Sequence, residues 1–461
     1  MLNLKDKDVI VLGLGKSGIA SCNLLTRLGA HITAFDEKKK EELKDVIKKL
    51  PKDVVVQYGN VLSLPPSDLI VVSPGIPSDI SYIKKAKDVN IPIIGEIELG
   101  FQMLSHQPII AITGTNGKTT TTTLIGKLLE DAKLNPIVCG NIEIPFTSCN
   151  ISKENIVVLE VSSFQLETII EFKPNISVFL NFAPDHLDRY LNIEDYMKAK
   201  ARIFENQTKD DIMVINADDP VVLNLSRRSR AKPYLFSTRQ TLQEGLFIRN
   251  NWIVARFSGR EEKIFPLSDI KLIGIHNIEN ILASILVAII LRIETSSIMD
   301  TIRNFKGLPH RIQEVGNISG VRFINDSKAT NIASVIAALS SFERKVILLA
   351  GGRDKGEDYT RLIPYLKERV KKLILFGESA DLIGSMVREA VEIYKVESLK
   401  DAVDLSYALA EFDDCILLSP ACSSFDQFSS YKERGEAFTK NVLALKERLV
   451  ENGRGIFTKK C

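Results

Sequence analysis

The sequence predicts an α/β fold of three domains: a Rossmann-like N-terminal domain, a central P-loop-type α/β domain and a Rossmann-like C-terminal α/β domain. Three observations predict it. Short apolar runs rich in β-branched residues alternate with amphipathic stretches almost throughout, the rhythm of parallel strands covered by helices. The 461 residues suffice for about two to four domains at roughly 100–200 residues each. Glycine-, serine- or lysine-bearing loops follow strands in each of three successive blocks, where open α/β sheets bind their ligands.

The first block spans residues 1–94. Strands are expected near Asp8–Gly13, His31–Asp36, Val54–Tyr58 and Leu69–Ser73, with a short one at Ile91–Gly95 closing the block. The charged run Lys38–Asp45 reads as a solvated helix face. Gly13-Leu14-Gly15-Lys16-Ser17-Gly18 follows the first strand and opens a helix, and Asp36 ends the second strand. This is the dinucleotide fingerprint: glycines let the backbone approach a diphosphate, and the acid can accept from a nucleotide hydroxyl. The pattern fits the diphosphate of any nucleotide and does not specify nicotinamide. A tight strand–helix turn without a ligand is the plainer alternative.

The second block spans 95–305. Its strands are expected near Ile109–Thr113, Ile156–Val161, Ile176–Asn181 and Asp211–Asn216, with shorter antiparallel strands between Lys232 and Ile273 and a helix over Asn277–Leu291. The apolar strand ending at Thr113 runs into Gly114-Thr115-Asn116-Gly117-Lys118-Thr119-Thr120. Such a loop aims backbone N–H groups at phosphates from the positive end of a helix. Lys118 can bridge the β- and γ-phosphates and Thr119 can ligate Mg²⁺. The strict Walker spacing is not met, because position 112 is Ile. Glu160 ends a strand, where an acid is more often a helix cap; beside this loop it becomes the expected metal partner. Asp185-His186-Leu187-Asp188 offers further metal ligands. Lys200 has helical spacing, which by itself favours an exposed lysine. Of Asn277 and Asn280, three apart at a helix start, capping accounts for one.

The third block spans 306–461, with strands expected near Val321–Asn325, Val346–Ala350, Leu373–Phe376 and Ile416–Ser419. Asn325–Asn331, Gly351–Gly356 and Ser419–Asp426 each follow a strand. Together they describe a polar, cationic pocket suited to an anionic ligand.

Composition narrows the function classes. The chain is 45% apolar and 26% charged, with a formal net charge of +2, so no strong pull toward nucleic acid or anionic membrane is implied. Cys22, Cys139, Cys149, Cys415, Cys422 and Cys461 include no C-x-x-C pair, which suits reduced thiols in a cytoplasmic protein and offers no zinc framework. The N-terminus lacks a signal-peptide pattern, and the longest apolar run, Ile281–Leu291, is far short of the ~20 residues that span a bilayer.

Taken together, these motifs resemble the Mur ligases from end to end. Gly114–Thr120 looks like the family's ATP loop. Leu159–Glu167, Asp185–Tyr190, His276-Asn277, Gly307–Arg311, Asn325–Asn331 and Ser419–Phe428 are more specific matches, and the last two look like the glutamate-adding branch. The resemblance implies a monomeric ATP-dependent ligase that adds D-glutamate to UDP-N-acetylmuramoyl-L-alanine through an acyl phosphate. Gly13–Gly18, Asp36, Gly75, Asn141 and Ser162 would hold the UDP-sugar. Gly114–Thr120, Asn277, Arg311 and Asp326 would hold ATP. Thr119, Glu160, His186 and Lys200 would serve two Mg²⁺ ions, with Lys200 carbamylated and Lys118, His186 and Lys200 catalytic. Lys328, Thr330, Lys355, Ser424, Phe425 and Tyr431 would form the D-glutamate pocket. Three positions depart from the family pattern: Glu143 stands where Gly is usual, and Phe425 and Tyr431 replace Leu and Phe. Rival readings are a nicotinamide dehydrogenase, which leaves the ATP loop idle, a folate polyglutamate synthase, and a catalytically silent binding protein.

Overall fold

In this computed structural model the structure describes residues 3–59, 65–77, 80–142 except 105 and 106, 144–185, 189, 190, 192–272 and 274–451; the side chains of residues 81, 82 and 104 are not described. Among these residues, twenty strands form sheets of five, nine and six.

The first sheet comprises β1 (Asp8–Leu12), β2 (His31–Asp36), β3 (Val55–Tyr58), β4 (Leu69–Val72) and β5 (Ile93–Gly95). All its pairings are parallel, in the order β3-β2-β1-β4-β5. β1 and β4 are buried almost throughout, as a strand covered on both faces requires. The order reverses between β1 and β4, which opens a crevice at their carboxyl ends, and the glycine loop lies there.

The second sheet begins with β6 (Ile109–Thr113), β7 (Pro136–Gly140), β8 (Ile156–Glu160), β9 (Ile176–Phe179) and β10 (Ile212–Asn216). It continues through β11 (Lys232–Ser237), β12 (Gly245–Arg249), β13 (Trp252–Phe257) and β14 (Arg260–Pro266). The order is β14-β13-β12-β11-β10-β9-β6-β8-β7. Two corrections to the sequence reading arise here. β7 is an additional edge strand. β11 is parallel to β10, and β12 is parallel to β11, so antiparallel pairing begins only at β12–β13. Alternation along a strand does not encode its direction.

The third sheet comprises β15 (Gln313–Ile318), β16 (Val321–Asn325), β17 (Val346–Gly351), β18 (Val370–Phe376), β19 (Ile393–Lys395) and β20 (Cys415–Ala421), ordered β15-β16-β20-β17-β18-β19. Only the β15–β16 hairpin is antiparallel.

Contacts divide the chain into two units: Met1–Ile270 with Ile278–Phe305, and Lys271–Asn277 with Lys306–Cys461. The first two sheets share a unit. Glu98, fully buried on the helix Glu96–Leu104 that follows β5, accepts from the amides of Ile170, Glu171 and Phe172 at 2.8–3.0 Å. The third sheet stands in the other unit, with apolar clusters on both faces. Among the described residues no helix is long and apolar enough to cross a membrane.

Candidate active site

The glycine cradle forms at the end of β1. Gly13 has φ +84°, open to glycine at little cost. Gly15 caps the helix Lys16–Arg27, whose first turn carries no acid, so its N–H groups present undiminished positive potential. Asp36 serves this loop directly: Oδ2 accepts from the Leu14 amide at 2.8 Å and Oδ1 from the Lys38 amide at 3.0 Å. Part of its accepting capacity therefore goes to holding the loop. Ser73 Oγ donates to the Gly13 carbonyl at 2.8 Å, which brings the Gly75 loop alongside. A Cβ on Gly18 would run into the Gly13 carbonyl oxygen. Gly18→Ala is therefore expected to displace the cradle by overpacking, at about 1–3 kcal/mol. Affinity for a uridine diphosphate ligand, measured calorimetrically, should fall about 10- to 100-fold; unchanged affinity would show that the cradle does not bind it.

The loop Gly114–Gly117 joins β6 to the helix Lys118–Asp131, with Gly117 at φ +84° as its N-cap. A Cβ there would strike the buried Asn280 side chain, which also meets Thr121 Oγ1 at 3.2 Å. Asn280 and Asn277 lie inside the helix Ile275–Ile290, so the capping reading of one of them is incorrect. Lys118 Nζ donates to the carbonyls of Gly114 and Thr115 at 2.7 and 2.8 Å.

Lys200 is 2% exposed, on the helix Ile193–Ala201, so the exposed-lysine reading is incorrect. Its Nζ donates to the Gly114 carbonyl at 2.9 Å and lies 4.8 Å from the centre of the Tyr196 ring. Burial first, and the Lys118 cation second, push its amine well below the usual lysine range, against an opposing pull from Asp185. Glu160 ends β8 at 3% exposure. Its Oε1 accepts from Asn141 Nδ2 at 2.9 Å, while Oε2 is buried with no hydrogen-bond partner. Ser162 caps the short helix after β8 in a reciprocal capping box with Gln165. The structure thus gathers Gly114–Thr120, Glu160, Asn141 and Lys200 around one end of the second sheet. His186, Asp188 and Glu143 lie outside the described residues.

In the other unit, Asp326 follows β16 and is deeply buried; its carboxylate accepts from Ser419 Oγ at 2.9 Å and from the Ile312 amide at 3.3 Å. Burial pushes its carboxyl up to about 7. Burial, then the Arg311 charge, push His276 down to about 4. Lys328 Nζ lies 5.5 Å from the Tyr431 ring centre. Ser424 is buried, Thr330 half-buried and Lys355 exposed, and Phe425 is 61% exposed rather than packed as a wall.

Sequence reasoning missed Arg434, on the helix Tyr431–Glu451. Fully buried, it donates Nε to Ser327 Oγ and Nη2 to the carbonyls of Ser327 and Cys422, at 2.9–3.1 Å. Nη1 reaches the carbonyls of Ser423 and Gly351 at 3.2 and 3.5 Å. One guanidinium thereby ties together the loops after β16, β17 and β20. Burial pulls it down to about 10, still charged at neutral pH. Nothing in Tyr431-Lys-Glu-Arg-Gly distinguishes it from a surface arginine.

Comparisons with known proteins agree with this layout. Residues 7–95 match the Mur ligase MurD-like N-terminal domain, 112–288 the Mur ligase middle domain, and 310–422 the Mur ligase glutamate ligase domain. A UDP-N-acetylmuramoylalanine–D-glutamate ligase from Caldanaerobacter subterraneus is 41% identical over 96% of this chain and 100% of its own. A protein of the same description from Caldicellulosiruptor saccharolyticus is 41% identical, over 96% and 99%. Among solved structures, a pseudomurein peptide ligase type C from Methanothermus fervidus superposes with a TM-score of 0.58 at 19% identity, over 96% of this chain and 100% of that one. The UDP-N-acetylmuramate–alanine ligase of Thermotoga maritima gives 0.58 at 18%, over 95% and 100%, a likeness of fold. With three family domains in order along one chain and about two-fifths identity to full-length relatives, the protein belongs to the Mur ligase family.

Proposed function

We infer that this chain is the ligase that joins D-glutamate to UDP-N-acetylmuramoyl-L-alanine at the expense of ATP, a step of peptidoglycan precursor synthesis. The observation that carries the chemistry is the phosphate loop flanked by two buried groups, Lys200 and Glu160, the latter with an unpartnered oxygen. The full-length relatives carry the substrate assignment. A nicotinamide dehydrogenase would leave that phosphate loop unused.

The substrate carboxylate attacks the γ-phosphorus and ADP departs, leaving an acyl phosphate. The amine of glutamate then adds to the activated carbonyl, a proton is lost, and phosphate leaves from the tetrahedral intermediate. A carboxylate alone is a poor electrophile; phosphorylation supplies its leaving group. The glycine cradle with Asp36, Gly75, Asn141 and Ser162 holds the UDP-sugar. Residues Gly114–Thr120 hold the phosphates of ATP; Asn277, Arg311 and Asp326 are assigned to the nucleotide on the family resemblance alone. Lys118 turns from the loop carbonyls to the transferring phosphoryl group.

The donors present suit Mg²⁺, a hard cation that takes oxygen ligands. Among the described residues no three or more His, Cys, Asp or Glu gather into a metal cluster. Glu160 Oε2 has open capacity, Thr119 offers a hydroxyl, and Lys200 as a carbamate supplies two more oxygens. Bound there, Mg²⁺ would offset charge on the phosphates. His186 remains a proposed ligand and proton acceptor. The enzyme works in the cytoplasm, as a monomer.

The direct test is phosphate release from ATP with UDP-N-acetylmuramoyl-L-alanine, offering each amino acid in turn. D-Glutamate should support turnover far better than any other; best turnover with a different amino acid would move the chain to another branch. The pocket of Lys328, Thr330, Lys355, Ser424, Phe425 and Tyr431 is assigned to glutamate, whose two carboxylates need fixed partners. Lys355→Ala should raise the glutamate KM at least about tenfold, the equivalent of one charge-assisted contact, and leave the ATP and UDP-sugar KM values within about twofold. A change confined to the ATP KM would place nucleotide, not glutamate, at this loop.

A further inference from the structure

Arg189 takes no part in the scheme above, yet both of its Nη atoms are hydrogen-bonded and its guanidinium lies over an aromatic ring. Nη1 donates to the Gly75 carbonyl at 3.2 Å and Nη2 to the Ile76 carbonyl at 3.0 Å. Nη2 also meets Glu167 Oε2 at 3.4 Å, and Cζ lies 4.7 Å from the centre of the Phe164 ring. The Arg189 and Glu167 side chains are 15% and 17% exposed, so solvent screens this pair less than a surface pair.

The two carbonyls belong to the loop after β4, which bears on the glycine cradle. Ser73 in that loop holds the Gly13 carbonyl, and the Ile76 amide returns to the Ser73 carbonyl at 3.0 Å. A Cβ built on Gly13 would lie 3.3 Å from Ile76 Cδ1. In the other direction, Tyr190 stacks on Phe164 with ring centroids 5.8 Å apart, and packs on Tyr196 at 5.2 Å. Tyr196 in turn places its hydroxyl 3.3 Å from Thr115 Oγ1 in the phosphate loop and its ring beneath Lys200. An unbroken run of hydrogen bonds and packed rings therefore leads from Gly13 through Arg189 to Thr115. Arginine suits its centre: a planar fork can meet two carbonyls at once while stacking on a ring, and an ammonium cannot.

We propose that Arg189 is a positioning residue that fixes the sugar-nucleotide loop against the phosphate loop, so that a carboxylate held from one meets the γ-phosphate held by the other. The proposal rests on the assignment of those two loops made above. Displacement of reacting groups by about 1 Å can cost about 10²-fold in rate without loss of binding, because the near-attack geometry is what is lost.

The test uses the full chain with Arg189→Met and Arg189→Lys. Affinities for UDP-N-acetylmuramoyl-L-alanine and for a non-hydrolysable ATP analogue are measured calorimetrically, and kcat by ADP release at saturation. For Arg189→Met both affinities should stay within about threefold of wild type while kcat falls about 10²-fold. Arg189→Lys, which keeps the charge and loses the fork, should recover less than a tenth of the lost kcat. Should Arg189→Met fail to fold, Arg189→Lys alone must show the same split between affinity and kcat. Wild-type kcat in either variant overturns the proposal. Weakened UDP-sugar binding with kcat intact also overturns it, making Arg189 part of the cradle. Failure of the wild-type protein to bind the UDP-sugar or the ATP analogue would instead overturn the loop assignment.

Discussion

Lys118→Ala is expected to lose about 10²- to 10³-fold in ATP-dependent turnover, the cost of removing one fixed donor from a developing anionic transition state. Lys118 opens the helix Lys118–Asp131 and stands at the positive end of its dipole. In the structure its ammonium satisfies the Gly114 and Thr115 carbonyls, so the wild-type loop holds its cation ready without leaving it unsolvated. Removing it takes the donor from the Thr115 carbonyl, while the Gly114 carbonyl keeps the Lys200 amine, at a cost of about 1 kcal/mol, so the melting temperature should fall only slightly. A second effect has a definite sign. Lys118 is one of the two causes that lower the Lys200 amine, so its loss lets that amine take a proton more readily. Phosphate release and thermal melting on the same sample decide the matter. Near-normal turnover in a folded variant would remove the ATP assignment from this loop.

Lys200→Ala is expected to lose at least about 10²-fold in turnover, more than an outer-shell partner of a metal typically costs. The argument is one of protonation. Burial disfavours the ammonium, so the side chain gives up its proton more readily than an ordinary lysine, and the neutral amine has a lone pair that can attack CO₂. Loss of a proton from the adduct leaves a carbamate, which converts a cation beside the phosphate loop into a two-oxygen anion. Formate or acetate should partly restore the alanine variant by occupying the vacated space. Wild-type activity should fall on CO₂ depletion and return with bicarbonate. Lowering the pH through the depressed amine pKa protonates the nitrogen and should slow that return. Full activity of Lys200→Ala, with no response to CO₂, would refute the carbamate.

The buried parallel strands were legible because strands covered on both faces are written as apolar runs, and the glycine-bearing strand–helix loops because tight turns restrict the residue types. β7 was not legible: Pro136-Ile-Val-Cys-Gly is short, begins with proline and is mostly half-buried at a sheet edge. β15, Gln313-Glu-Val-Gly-Asn-Ile, is too polar to announce itself, because an edge strand on an antiparallel hairpin faces solvent. Lys200 shows the limit for single residues. Its helical spacing is that of any surface lysine, and only the tertiary fold places it under Gly114. Asn280 and Arg434 were hidden for the same reason: both act across distances of more than a hundred residues or across several loops at once. Arg189 was visible within a family motif, but its partners, carbonyls more than a hundred positions away, leave no trace in side-chain identity.

Arg434 constrains how the pocket proposed for glutamate can be re-engineered or drift. Because one buried cation answers to oxygens from three loops, no loop can change length or path independently of the other two. A single-loop graft would strand at least one of those partners, at about 1–3 kcal/mol for each group left unsatisfied, before any new amino acid was tested. Altered preference is therefore reachable by exchanging outward-facing side chains on an unchanged backbone, such as Lys355 and Phe425. The other route is to transplant the three loops together with the helix Tyr431–Glu451 as one cassette. A library that randomises loop lengths separately should yield mostly unfolded chains, whereas one that keeps Ser327, Gly351, Cys422, Ser423 and Arg434 fixed should stay soluble and varied.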